Sequence, residues 1–176
     1  TYYLSVRATD AAGNASGCSS ASVAYNYTLW LGSKQIGGYG YAQASGQDVE
    51  IDSSGNIYFT GWHYGDLHGE SAGWYNTFLI KYNSFGTRQW TKLLGGSGET
   101  KPMSIEKDSS NNLYIAGTTT VSLDSQTHSG NTDLFLVKYN SSGTKQWTKM
   151  LGSPEPDNVV GMALDSSGNA YVVGRT

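Results

Sequence analysis

Residues 81–95 read KYNSFGTRQWTKLLG and residues 138–152 read KYNSSGTKQWTKMLG, identical at twelve of fifteen positions and offset by 57 residues. A second mark keeps step with the first. Asp52-Ser-Ser-Gly-Asn56 returns as Asp108-Ser-Ser-Asn-Asn112 and again as Asp165-Ser-Ser-Gly-Asn169. A fixed period of this size means that one supersecondary unit is written several times and that each copy buries its apolar faces against its neighbours. The chain is thereby restricted to a stacked or radial repeat architecture.

Four strand-like runs fill each unit. Run A is DVEID (48–52), SIEKD (104–108) or GMALD (161–165). After the Asp-Ser-Ser turn comes run B, NIYFTG (56–61), NLYIAG (112–117) or NAYVVG (169–174). Run C is TFLIKYN (77–83) or LFLVKYN (134–140), and a second turn, NSFGT or NSSGT, leads to run D, RQWTKLLG (88–95) or KQWTKMLG (145–152). Gly and Asn tolerate the positive φ of tight hairpins, and Tyr, Trp and Thr suit a pleated surface. With 23 Gly, 13 Tyr and only 14% charged residues, no segment sustains a helical apolar period. Runs B and C are apolar on both faces, as in strands packed above and below. The expectation is an all-β fold of β-propeller blades, four-stranded antiparallel repeats of about 57 residues. A β-helix is the alternative, but its coils are shorter and need no pair of hairpin turns per unit.

The pattern D-S-S-G-N-[IA]-Y-[FV]-x-G, followed by F-L-[IV]-K-Y-N-S-x-G-T-x-Q-W-x-x-x-L-G, resembles the bacterial SBBP β-propeller repeat over about residues 29–176. That family occurs in large secreted or surface proteins. It usually has a small residue two positions before the turn Asp, where this chain has Glu50 and Glu106 and only the third unit keeps Ala163. Residues 1–28 alternate around the turn DAAGNASG and resemble the last two strands of a fibronectin type III or immunoglobulin-like sandwich module. The implied organisation is a β-hairpin from that module (1–28) and a partial propeller (29–176). The propeller would hold an orphan outer strand (28–36, aligned through Trp30), blades at 48–95 and 104–152, and a partial blade at 161–176. Rings of typically about 4–8 blades cannot close on this number, so the ring is incomplete. The remaining blades are expected in a longer chain, or else in other copies of this one. An N-terminal strand would then complete the last blade.

Hairpin turns A–B and C–D fall on one rim, and all the length variation falls on the other. The variable loops are GGYGYAQASGQ (37–47), WHYGDLHGESAGWYN (62–76), GSGETKPM (96–103), TTTVSLDSQTHSGNT (118–132) and GSPEPDNVV (152–160). Loops on a rigid scaffold carry binding residues, so this face is the expected partner surface. Trp62, His63, Tyr64, Asp66, His68, Glu70, Trp74 and Tyr75 crowd one loop as a platform for a protein or carbohydrate ligand. The other readings are an ordinary surface loop and a metal site from His63, Asp66 and His68, and the loop shows no recognised ligand spacing. Glu50 and Glu106 are placed beside the central channel, where they are solvated, hold a cation or act as an acid/base pair. The Asp-Ser-Ser turns lack the additional carboxylates of a calcium loop and read as structural. Trp90 and Trp147 read as packing residues between blades.

The net charge of −3, without clustered Lys or Arg, argues against nucleic acid as a partner. One cysteine, Cys18, excludes an intrachain disulfide, and no apolar run approaches the length of a membrane span. No nucleophile elbow or phosphate loop is present. The expectation is therefore a non-catalytic extracellular or cell-surface module for recognition, adhesion or structure, with no catalytic residues, cofactor or resident metal. The alternatives are a catalytic propeller, since SSGTKQW also resembles the Gly-x-x-x-Trp motif of quinoproteins, and a fibre subunit assembled by strand-edge pairing.

Overall fold

A computed structural model of the chain describes residues 4–5, 33–34, 43–71 and 74–176. Its regular structure is antiparallel strand, with no helix among the described residues. Strand β1 (Leu4–Ser5) pairs with β2 (Ser33–Lys34), so the described part of the expected outer strand 28–36 joins a two-stranded sheet. The rest of the hairpin expected over 1–28 lies outside the described residues. The first unit runs β3 (Gln43–Ile51), β4 (Ile57–Tyr64), β5 (Asp66–Leu67), β6 (Glu70–Ser71), β7 (Asn76–Tyr82) and β8 (Arg88–Leu94). Its sheet has the order β3-β4-β7-β8, with β5 and β6 forming a side hairpin between β4 and β7. The second unit repeats the sheet as β9 (Thr100–Lys107), β10 (Leu113–Thr119), β11 (Asp133–Tyr139) and β12 (Lys145–Leu151). In the third, β13 (Asn158–Leu164) pairs with β14 (Ala170–Arg175).

The turns explain the repeated Asp. Asp52 Oδ1 accepts from the N–H groups of Ser54 and Asn56, both at 2.9 Å, while Oδ2 accepts from Asn56 Nδ2 (2.8 Å) and the Tyr58 hydroxyl (3.0 Å). Asp108 and Asp165 repeat this set. The turn needs a left-handed residue, supplied by Gly55 (φ +76°), Asn111 (φ +60°) and Gly168 (φ +79°). Asn83 and Asn140 do the same work at the second turn, each accepting from two N–H groups.

Run A is longer than its apolar residues suggest. β3, β9 and β13 begin at Gln43, Thr100 and Asn158, inside segments read as loops, because a β-bulge lets the polar stretch go on pairing. The bulge also explains the Gly closing run B. A Cβ on Gly61, Gly117 or Gly174 would sit 2.0, 2.2 or 2.3 Å from the partner strand's carbonyl at Ser45, Lys101 or Asn158.

The units pack in series, with β3, β9 and β13 side by side. Tyr58, Leu79 and Leu94 of the first unit join Ile105, Leu113, Ile115, Phe135 and Val137 of the second in one buried cluster. Polar links reinforce the seam. Asp48 Oδ2 accepts from the Ile105 N–H (2.9 Å) and the Ser104 hydroxyl (3.2 Å). The Thr100 N–H donates to the Tyr75 carbonyl at 2.7 Å, and Asp157 repeats that bond to Thr132 at 2.8 Å. Trp90 stands beside Tyr58, ring centroids 6.1 Å apart, and against the next unit's turn, where a Cβ on Gly143 would meet the indole at 3.0 Å. Trp147 repeats the pairing with Tyr114 at 6.0 Å. Both Trp are half-buried. The arrangement is an incomplete, propeller-like series of antiparallel sheets.

Candidate functional site

Strand β4 extends through Tyr64, so Trp62, His63 and Tyr64 are strand residues and alternate in direction. Period-2 alternation turns His63 inward, where it is 1% exposed and its ring centroid lies 6.4 Å from that of Phe78. His63 is therefore a core residue of the first unit and does not face a ligand, which corrects its placement on the loop surface. Asp66 accepts from the Gly69 N–H at 2.9 Å and so closes the β5–β6 hairpin. His68, at φ +56°, places Nδ1 3.1 Å from the Thr91 hydroxyl and anchors that hairpin to β8. Among the described residues no three His, Cys, Asp or Glu side chains converge as a metal-binding set.

The aromatic members do assemble. Trp62 and Tyr75 meet edge to face at 5.2 Å, and Tyr64 lies 5.3 Å from Tyr75. Lys101 reaches over from β9, its Nζ 4.8 Å from the Tyr75 ring centre and 5.7 Å from that of Trp62. Its ammonium also pairs with Glu99 at 2.7 Å. Tyr64 is 39% exposed, so the patch keeps open aromatic surface beside a cation and a carboxylate, and Trp74, the chain neighbour of Tyr75, is 54% exposed. Sequence reasoning missed Lys101 and Glu99. The available signal was that GSGETKPM shares a rim with the Trp-rich loop.

This patch is where the repeat breaks. Gly61 and Gly117 are equivalent, as are Tyr75 and Thr132 through their carbonyl bonds, so Trp62, Tyr64, Trp74 and Tyr75 correspond to Thr118, Thr120, Asn131 and Thr132. Packing between units is met without aromatics at these positions. At the second unit's rim, buried Asp133 instead accepts from the Ser129 N–H at 2.8 Å and faces His128 at 3.7 Å.

Glu50 and Glu106 lie on β3 and β9, the strands that run together along the inner edge, and both are half-buried. Burial raises the Glu50 pKa first, then the charges of Glu106 and Asp48, against the lowering effect of Lys107. Burial and Asp48 likewise raise Glu106. The turn aspartates behave oppositely. Burial pushes Asp52 upward, but the bonds from Asn56, Tyr58 and Ser54 outweigh it and hold the carboxyl below its ordinary value. With its oxygens taken by donors of the turn, Asp52 serves the backbone.

These features define an all-β repeat protein of blade-like sheets with one irregular rim. The sequence model of the SBBP β-propeller repeat matches residues 89–124 and 146–176. Both matches open at the same point of the repeat, Gln89 and Gln146, and run from the outer strand into the next unit's first hairpin. The chain is also 28% identical over 120 residues to the regulatory protein FlaEY of Caulobacter vibrioides. That alignment covers 63% of this chain and 13% of FlaEY. No helix among the described residues is long and apolar enough to cross a membrane.

Proposed function

We propose that this chain is a non-catalytic recognition module of a modular bacterial surface or secreted protein, and that it binds through the rim patch of Trp62, Tyr64, Trp74 and Tyr75 with Lys101 and Glu99. The observation that carries this reading is the break in the repeat. Four aromatics stand where the second unit has Thr and Asn, and two of them keep open surface. Aromatic surface flanked by charge suits a ligand with a flat apolar face bordered by hydroxyls, so a glycan is the best fit and an extended peptide the next. Asp66 and His68 shape the adjoining hairpin. Glu50 and Glu106 line the inner edge as half-buried carboxylates. The name of FlaEY, a regulatory protein, accords with a role in binding.

The test is a glycan array probed with the full chain, followed by titration of the best ligand against Trp fluorescence. Trp74→Ala with Tyr64→Ala should weaken binding at least tenfold and leave the unfolding midpoint unchanged. Undiminished binding by that double variant would remove the patch from the function.

A further inference from the structure

Lys101 sits in the aromatic patch as a ligand would. The rings of Trp62 and Tyr75 stand at 75° to one another and form two walls of a corner. The Lys101 ammonium lies over both faces, 4.8 Å from the Tyr75 centroid and 5.7 Å from that of Trp62. Glu99 closes the corner, its Oε2 accepting from Lys101 Nζ at 2.7 Å. Two π faces and a carboxylate around one point make a receptor for an ammonium ion. Packing of the units does not require this arrangement. The same main-chain bond joins both seams, from the Thr100 N–H to the Tyr75 carbonyl and from the Asp157 N–H to the Thr132 carbonyl. That correspondence sets Glu99 against Pro156 and Lys101 against Asn158. At the second seam the walls, the cation and the carboxylate are thus all replaced, by Thr118, Thr132, Asn158 and Pro156. The four change together, and the second seam forms without them.

Lys101 is a replaceable occupant. Its side chain is 36% exposed and that of Glu99 43%, and exposed ion pairs and cation–π contacts are individually weak. We propose, resting on the rim as the binding surface, that the glycan it takes carries a free amino group, and that this ammonium displaces Lys101 from the corner of Trp62, Tyr75 and Glu99. The ligand class is an unacetylated amino sugar. Glu99 accepts an N–H hydrogen bond, which a primary ammonium supplies and a quaternary one does not. Acetylation of the amine would remove both the charge and the cation–π contact. With its ammonium in the corner, the sugar lays its apolar ring face on the open Tyr64, whose ring is 5.3 Å from Tyr75. The chain's net charge of −3 favours approach of a cationic ligand. Lys101 acts as a built-in competitor and sets the affinity threshold.

The probes are tetramers of glucosamine, N-acetylglucosamine and glucose with one common linkage, titrated into the full chain against Trp fluorescence. They differ only in whether an ammonium, an acetamide or a hydroxyl is offered, so the comparison needs no variant of the chain. The glucosamine tetramer should bind at least tenfold tighter than either neutral one. Lys101→Met, which keeps the stem and removes the competing charge, should tighten the glucosamine tetramer about tenfold and leave the neutral ones unchanged. A Lys101 that only fastened the seam would give no gain. Glu99→Gln should weaken the glucosamine tetramer alone. Equal affinity for all three tetramers, or no gain from Lys101→Met in a chain with an unchanged unfolding midpoint, would overturn the proposal. Binding of the neutral tetramers alone, lost in Tyr64→Ala with Trp74→Ala, would overturn it and leave the rim reading standing. Binding of an oligolysine peptide without the glucosamine tetramer would also overturn it, in favour of a peptide amine.

Discussion

Leu94 and Leu151 hold the same place in two copies of one sequence, yet Leu94 is 6% exposed and Leu151 72%. Leu94 belongs to the buried cluster shared with the second unit, whereas Leu151 belongs to no buried cluster of the described residues. The pair is therefore an internal control for unit-on-unit packing. Full burial of a Leu side chain is worth about 1.5–3 kcal/mol, and truncation to Ala adds a cavity term that brings the total to about 2–5 kcal/mol. Leu94→Ala should lose an amount in that range. Leu151 buries roughly a quarter of its surface, so Leu151→Ala should cost about 0.5 kcal/mol or less. Urea unfolding of both variants and the parent, compared at constant m-value, measures the difference. Equal losses, or a larger loss at Leu151, would refute the serial packing of the units.

Other consequences can be checked in parallel. Asp48→Ala strips the acceptor from the Ile105 N–H and the Ser104 hydroxyl at the first seam and should cost about 1–3 kcal/mol by chemical denaturation. Asp52 and Asp108 are held below the ordinary carboxylate value, so their contribution is present above the unfolded value of about 3.9 and lost as pH falls through the folded value. Asp52→Ala with Asp108→Ala should then flatten the fall in Tm between pH 5 and pH 2.5. Glu50 and Glu106 have the opposite sign. Raised in the fold, they contribute most below the unfolded value of about 4.3 and lose that contribution as pH rises. Glu106→Gln should therefore raise Tm at pH 7 and leave it nearly unchanged at pH 4, as read by calorimetry at both pH values.

The period, the two turns and the four runs were legible because each is a local rule repeated with its residues intact. Asp52, Asn83 and their copies advertise turns, and the apolar runs advertise buried strands. The start of run A was not legible. Gln43–Gln47 is polar and Gly-containing, and it pairs only because β4 runs on past a bulge at Gly61. The same extension decides the rim. With Trp62, His63 and Tyr64 read as loop, all three were exposed. As strand they alternate, which buries His63 and leaves the aromatic pair outside. Lys101 reaches the patch from a different unit, a contact set by the seam between sheets that no local pattern encodes.

That seam is most directly tested by nuclear magnetic resonance on the full chain. The Trp90 indole lies against Gly143, so the account predicts nuclear Overhauser cross-peaks between the indole protons and the Gly143 Hα pair, with those Hα resonances displaced by the ring current. Gly143 at random-coil shifts, with no cross-peak to Trp90, would contradict it.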